Sequence, residues 1–341
     1  MKTIFLAVFL LLIFFTSCTS RPSARHLTED EIRLDRVAQE VKTSHRLIEK
    51  YFEPRDGGAY GYSIRGAEAI ILKSELQREG RTFEVTYNIH DAVPVSEDRY
   101  QIPFMVHDLS NGRTRDDILV WSPEENGDTG LLLSFDDAYL DSWQGHFDLF
   151  DAHGASVTFF VQGEIENEEI AAFCSAVLDR GFGLGFHTVN HLDLRRVPRE
   201  IFYFETIEAA AAFYKAGIRF SALAYPFGFS ESWMHEVLIL VYPFTRGYGT
   251  NIRFYTREAL GNGYFVSTAI DNIIHPDEEK YKDFIFRILF AAKFAGNYIV
   301  PITSHEISDE AQWGIGPDRL EYLLETANRL KVKFYTYSDI R

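Results

Sequence analysis

From Gly130 to the C-terminus, short apolar runs alternate with amphipathic stretches, and no other feature constrains the fold as much. Leu131-Leu132-Leu133-Ser134-Phe135 reads as a buried strand, with a helix expected over 143–153. A strand over 156–161 and a helix over 167–180, stopped by Gly181, come next. Gly183-Leu184-Gly185-Phe186 leads into another strand end, and a helix over 199–216 is stopped by Gly217. A strand over 220–225 and a helix over 231–241 follow. Later strands fall at 265–267, 298–303 and 333–335, with helices at 280–294 and 317–330 between them. Apolar strands separated by helices pair in parallel, and the helices cover the sheet. The expected class is α/β, with the sheet open or closed into a barrel.

The first third of the chain reads differently. A helix is expected over 29–51, with Ile32, Val37, Val41 and Ile48 near one face and acidic residues at its start. Apolar stretches at 67–72 and 82–87 flank Arg78-Glu79-Gly80, and those at 102–106 and 118–121 flank Ser110-Asn111-Gly112. Two successive hairpins imply a small β-rich domain over 57–127, in which no catalytic constellation is visible. The acidic, glycine-containing segment 123–130 marks a boundary, so the α/β part is expected to occupy 128–341.

The N-terminus carries Lys2, an apolar run over 4–15 too short for a comfortable membrane span, and then Phe15-Thr16-Ser17-Cys18. This resembles a bacterial lipoprotein signal. It implies a signal peptide at 1–17, lipidation of Cys18, a tether and helix over 18–56, and an exported protein anchored to the cell envelope. The alternative is an ordinary secretory signal cleaved near Ser17 or Ser20; either one exports the chain. Cys174 is then a lone thiol, expected in the core. With 34 basic and 50 acidic residues, the formal charge of −16 argues against nucleic acid as a partner. Protein partners are not legible.

Active sites in parallel α/β folds form at the C-terminal strand ends, and three polar clusters sit there. Asp136 and Asp137 follow the strand ending at Phe135; adjacent carboxylates there are costly unless paired or metal-bound. His187 and His191 lie four apart, a spacing that reaches one ion from one face of a helical turn. Two histidines and one carboxylate leave coordination positions open, as a catalytic ion requires. His305 ends another strand, where a ring near neutral pKa suits a general acid. His90, His107, His146, His153, His235 and His275 lack such placement.

Taken in order, Ser134-Phe135-Asp136-Asp137, Gly185-Phe186-His187-Thr188-Val189-Asn190-His191, Tyr225-Pro226-Phe227-Gly228 and Ser304-His305 resemble the polysaccharide deacetylase family, the NodB-like catalytic domain of a carbohydrate esterase family. The resemblance covers about Gly130 to Ile340. It implies a distorted (β/α) barrel preceded here by the small β-rich domain, a single divalent metal ion, and removal of N-acetyl groups from an acetylated polysaccharide of the cell envelope or exterior. It assigns Asp136 as general base, Asp137, His187 and His191 as metal ligands, His305 as general acid, and the Phe227 N–H as oxyanion donor. Zinc is the default for such ligands, with manganese, cobalt, nickel or iron open to them.

The sequence departs from the family at Ala138, where a Gly is usual, and at Phe227, where Tyr is usual. It departs again at Ala224, where many members carry an Arg that orients the base, and no Arg stands nearby to replace it. The family's Asp-Trp motif is not recognisable, and Asp271 is the nearest acidic candidate. Two other functions stay open: an O-acetyl esterase on a decorated polysaccharide such as xylan, and a glycan-binding lipoprotein that has lost activity.

Overall fold

A computed structural model describes residues 27–43, 50–51, 71–124 and 127–340. The signal segment 1–17, Cys18, the tether to residue 26 and the start of the strand expected at 67–72 lie outside the described residues.

Helix α1 (Glu29–Thr43) starts at a capping box: the Glu31 N–H donates to Thr28 Oγ1, and the Thr28 N–H donates to Glu31 Oε2. Strands β1 (Lys50–Tyr51), β2 (Ile71–Arg78), β3 (Arg81–Asn88), β4 (Val93–Ser96), β5 (Arg99–Asp108) and β6 (Arg113–Trp121) form an antiparallel sheet. Glu79 and Gly80 join β2 to β3 with positive φ at both, a two-residue turn whose twist suits a hairpin. Period-2 alternation puts Phe83, Val85, Tyr87, Tyr100, Ile102, Phe104, Val106, Leu119 and Trp121 on one buried face. Leu34, Val37, Ala38 and Val41 of α1 join the same core.

Seven parallel strands then close into a barrel: β7 (Gly130–Asp137), β8 (Val157–Val161), β9 (Gly183–Phe186), β10 (Ala222–Ala224), β11 (Phe244–Gly249), β12 (Tyr264–Ala269) and β13 (Ile299–Ser304). β13 returns to pair with β7 from Ile299–Gly130 to Ser304–Phe135. The short pair β14 (Glu306–Ile307) and β15 (Gly314–Ile315) follows β13. β8 joins β7 only from Leu133 onward, and β16 (Lys333–Phe334) fills the gap beside Gly130 and Leu131. The expected (β/α) barrel is the observed fold.

Helices α2 (Leu140–Gln144), α3 (Phe147–Ala152), α4 (Glu168–Asp179), α5 (Arg199–Tyr203), α6 (Ala209–Lys215), α7 (Ser232–Leu238), α8 (Arg257–Leu260), α9 (Glu278–Ala295) and α10 (Pro317–Arg329) connect these strands. Asn167 caps α4 by accepting from Glu169 N and Ile170 N, an arrangement worth about 1 kcal/mol. The helix expected over 143–153 is two pieces, α2 and α3, broken around Gly145 and His146. Cys174 is wholly buried on α4, and burial pushes its thiol up to about 12.

α9 joins the two sheets into one core. Phe290 packs edge-on against Tyr100 and Trp121, and Phe294 against Tyr87 and Trp121. Phe286, Phe290 and Phe294 recur every four residues, which makes one stripe on a helix. No helix among the described residues is long and apolar enough to cross a membrane.

Candidate active site

The C-terminal ends of the barrel strands gather the sequence-predicted side chains. Asp136 and Asp137 end β7 with opposite environments, because successive residues of a strand face opposite ways. Asp136 is wholly buried. Both its carboxylate oxygens accept from Nη2 of Arg246, at 2.5 and 2.6 Å. Arg246 lies on β11, is itself buried, and has its guanidinium 4.7 Å from the centre of the Phe160 ring. Burial alone would lower its pKa; the charge of Asp136 outweighs that and raises it. The expectation that no Arg replaces the residue missing at 224 is therefore wrong. Ala224 and Arg246 are direct partners across β10 and β11, so the guanidinium reaches Asp136 from the neighbouring strand.

Asp137 turns away with φ +90°. Its Oδ1 lies 3.2 Å from His187 Nε2 and 3.4 Å from His191 Nε2, and it is buried without an aligned hydrogen bond. His187 Nδ1 lies 2.9 Å from the Ala224 carbonyl, which can only accept, so Nδ1 donates there and Nε2 faces Asp137. Burial lowers the pKa of His191, with the His187 ring acting the same way, so this ring is held neutral. Burial works to raise the Asp137 pKa, but the neighbouring histidines outweigh it and hold the carboxyl below its usual range. An orphaned carboxylate oxygen between two imidazole nitrogens, with all three donor atoms within 4.8 Å of one another, fits a divalent ion.

The two histidines do not share a helical turn as their spacing implied. The segment is a loop in which Thr188 and His191 have φ +67° and +54°. His191 N donates to Thr188 Oγ1 at 3.2 Å. The buried carboxylate of Glu205 accepts from Val189 N, Asn190 N and Asn190 Nδ2. Glu205 carries no signal in the sequence, since a glutamate on a helix usually faces water.

His305 follows β13. Its Nδ1 lies 2.9 Å from Asp271 Oδ1, which also accepts from Ser304 Oγ at 2.8 Å. The His305 carbonyl accepts from Trp143 Nε1 at 2.8 Å, which fixes the backbone. Burial alone would lower the His305 pKa; the hydrogen bond and charge of Asp271, with Asp136 and Asp137 behind it, raise it to about 9. The rings of Tyr248 and Trp313 flank it at 5.7 and 5.9 Å.

Phe227 stands on the turn after β10 with φ +60°, its ring 4.5 Å from that of His191. Gly228 must be glycine: a Cβ there would lie 2.7 Å from the Tyr248 carbonyl oxygen, and φ is +71°. His235 brackets the turn, with Nδ1 2.9 Å from Tyr225 Oη and Nε2 3.2 Å from Ser230 Oγ. A cavity of about 480 Å³ is lined by Ala138, Tyr139, Asp141, Gln144, Glu169 and Glu306 among others. The Asp-His-His group does not line it, although its wall includes Ala138 and Glu306, the chain neighbours of Asp137 and His305.

The barrel carries an Asp-Arg pair, an Asp-His-His group and an Asp-His pair at its strand ends. Residues 124–239 match the sequence model of the polysaccharide deacetylase family. No curated protein matches the chain. Among solved structures, the chain is similar to the peptidoglycan deacetylase PdaC from Bacillus subtilis at 15% identity, over 64% of this chain and 91% of that one, with TM-score 0.44. It is similar to the chitin deacetylase of the fungal pathogen Colletotrichum lindemuthianum at 16%, over 62% and 86%, with TM-score 0.42. It is also similar to a family 4 carbohydrate esterase from Streptomyces lividans at 15%, over 61% and 93%, with TM-score 0.41.

Proposed function

We propose that this chain is a divalent-metal-dependent deacetylase that hydrolyses N-acetyl groups of an N-acetylhexosamine-containing glycan in the cell envelope or outside the cell. The observation that carries the reading is Asp137 Oδ1, buried and unpartnered between the Nε2 atoms of His187 and His191. These three residues would hold the ion, zinc by default for this donor set. When bound, the ion supplies Lewis-acid polarisation and acidifies water.

The chain's own residues supply the rest. Asp136 accepts a proton from the attacking water as its oxygen bonds to the acetyl carbon, and the hydrogen bonds from Arg246 aim that carboxylate. The Phe227 N–H is assigned to the carbonyl oxygen as it gains charge. His305 gives a proton to the departing nitrogen as the C–N bond breaks, which releases acetate and a free amine. An amine is a poor leaving group unless protonated, and a histidine with a pKa of about 9 is protonated at neutral pH. That favours amide over ester cleavage. The Asp136–Arg246 pair supplies the guanidinium that is absent at position 224.

The reading extends to export through a signal peptide at 1–17 and a lipid on Cys18. It divides the mature chain into a tether and helix at 18–56, a β-rich unit at 57–127 and the deacetylase domain from 128 onward. Acetate release from N-acetylated chitooligosaccharide and peptidoglycan, set beside O-acetylated xylan, tests the function. Release from xylan alone would replace it with the esterase reading, and release from none of them by metal-loaded protein would overturn it.

A further inference from the structure

Glu205 is a wholly buried carboxylate that no Lys or Arg among the described residues pairs with. By contrast, Asp136 is answered by Arg246 and Asp271 by His305. An uncompensated carboxylate is not kept in a protein interior without cause. It sits on a π-helical turn, Phe204–Glu208, inserted between α5 and α6. Such a widening is uncommon, and it re-aims the side chains on one turn of the helix. Here Glu205 and the next residue, Thr206, are both completely buried. Thr206 Oγ1 bonds back to the Phe202 carbonyl at 2.6 Å, and the Thr206 carbonyl accepts from Tyr242 Oη, so the bulge is pinned on both sides.

What Glu205 holds is specific. One oxygen accepts from Val189 N at 3.0 Å and Asn190 N at 2.8 Å, the other from Asn190 Nδ2 at 2.6 Å. These donors lie between His187 and His191, in the loop whose ends are the left-handed residues Thr188 and His191. A short segment with two such residues does not keep its shape unaided.

We infer that Glu205 is a positioning residue for the metal site: its carboxylate holds the 188–190 loop so that both imidazoles converge on Asp137 before any ion arrives, and its unbalanced charge favours a divalent cation there. This rests on the ligand reading above. Outer partners of metal ligands typically govern affinity by about 10–100-fold.

Glu205→Gln separates shape from charge. The amide keeps the volume and one acceptor oxygen, and the Asn190 side-chain amide can turn over to accept from the new NH2. Metal-free Glu205→Gln should therefore melt within a few degrees of the parent, yet bind zinc about 10–100-fold more weakly in chelator competition. Glu205→Ala should bind more weakly still, with faster hydrogen exchange at the Val189 and Asn190 amides in the absence of metal. Asn190 is exposed, so Asn190→Ala removes one donor without disturbing the core and should produce a smaller loss of the same kind. Folded Glu205→Gln and Asn190→Ala that both bind zinc at parent affinity would overturn the inference, whether or not Glu205→Ala folds. In that case, loss of zinc in His187→Ala would show the ligand reading intact. A parent protein that takes up no zinc would sink both.

Discussion

Arg246 faces Ala224 directly across the β10–β11 pair, and its Nη2 reaches both oxygens of Asp136 at 2.5 and 2.6 Å. The two residues point into the same interior, where both are buried. An arginine at 224 and one at 246 would contend for the same space, so the small residue on β10 is what admits the long one from β11. The positive charge has not been lost from the site; it enters one strand further round the barrel.

This transposition can be tested by reversing it. Arg246→Ala leaves a buried carboxylate without its counter-ion, a change that typically costs about 3–5 kcal/mol. A lower melting temperature and a large fall in kcat are expected. Adding Ala224→Arg to that variant should restore part of both, because the two side chains start from paired positions. If the double variant is no better than Arg246→Ala in melting or in acetate release, the two positions are not equivalent.

The neighbouring aspartates should fail in different ways. Asp136→Asn cannot accept a proton, and loss of a general base costs roughly 10²–10⁴ in rate. It should keep its metal. It should also melt lower than the parent, because Arg246 then faces a neutral amide. Asp137→Asn should instead bind metal weakly, and excess metal should recover some of its activity. Metal analysis beside acetate-release kinetics distinguishes them. A defect in Asp136→Asn that added metal cures would remove Asp136 from the role of base.

The barrel was legible because strands buried on both sides read as apolar runs, as in Leu131 to Phe135 of β7. β11 was not legible, and it is the strand that carries Arg246. Its sequence, Phe244-Thr245-Arg246-Gly247-Tyr248-Gly249, puts a charge and two glycines where an apolar run is expected. Gly247 is small for a reason: a Cβ there would lie 3.0 Å from the Gly228 carbonyl oxygen of the turn that carries Phe227. The polar character that hid this strand comes from the site it helps to build. The His187–His191 spacing named a convergent pair but implied a helical turn, because spacing cannot distinguish a helix from a loop tied down by Glu205, fourteen residues beyond the second histidine. The Asp271–His305 pair spans 34 residues and two strands, and only the register of β12 beside β13 brings it together.

Export makes its own prediction. Cys18 is the residue that the lipoprotein-like segment singles out, and an acyl chain binds membrane through its buried methylenes. Cys18→Ser should release a soluble form or leave an uncleaved precursor, read by fractionation and by the mass of the mature N-terminus. Unchanged processing and unchanged membrane association would exclude the lipid on Cys18.

The proton donor should reveal itself through pH. His305 is raised to about 9 against the effect of its own burial, with the hydrogen bond and charge of Asp271 supplying most of the opposing push. A general acid must hold its proton, so kcat should fall on the alkaline side as pH rises through the His305 pKa. Asp271→Asn keeps an acceptor for Nδ1–H but removes the charge. Burial then faces less opposition, and the pKa must fall. The alkaline limb of the kcat profile should therefore move toward lower pH, while activity well below the new pKa is retained. His305→Ala should abolish that limb and most of the activity at every pH. Metal content should be unchanged in Asp271→Asn, because Asp271 touches His305 and Ser304 and none of Asp137, His187 or His191. An alkaline limb that stays in place in metal-replete Asp271→Asn would show that the titrating group is not His305, and the leaving amine would then need a different donor.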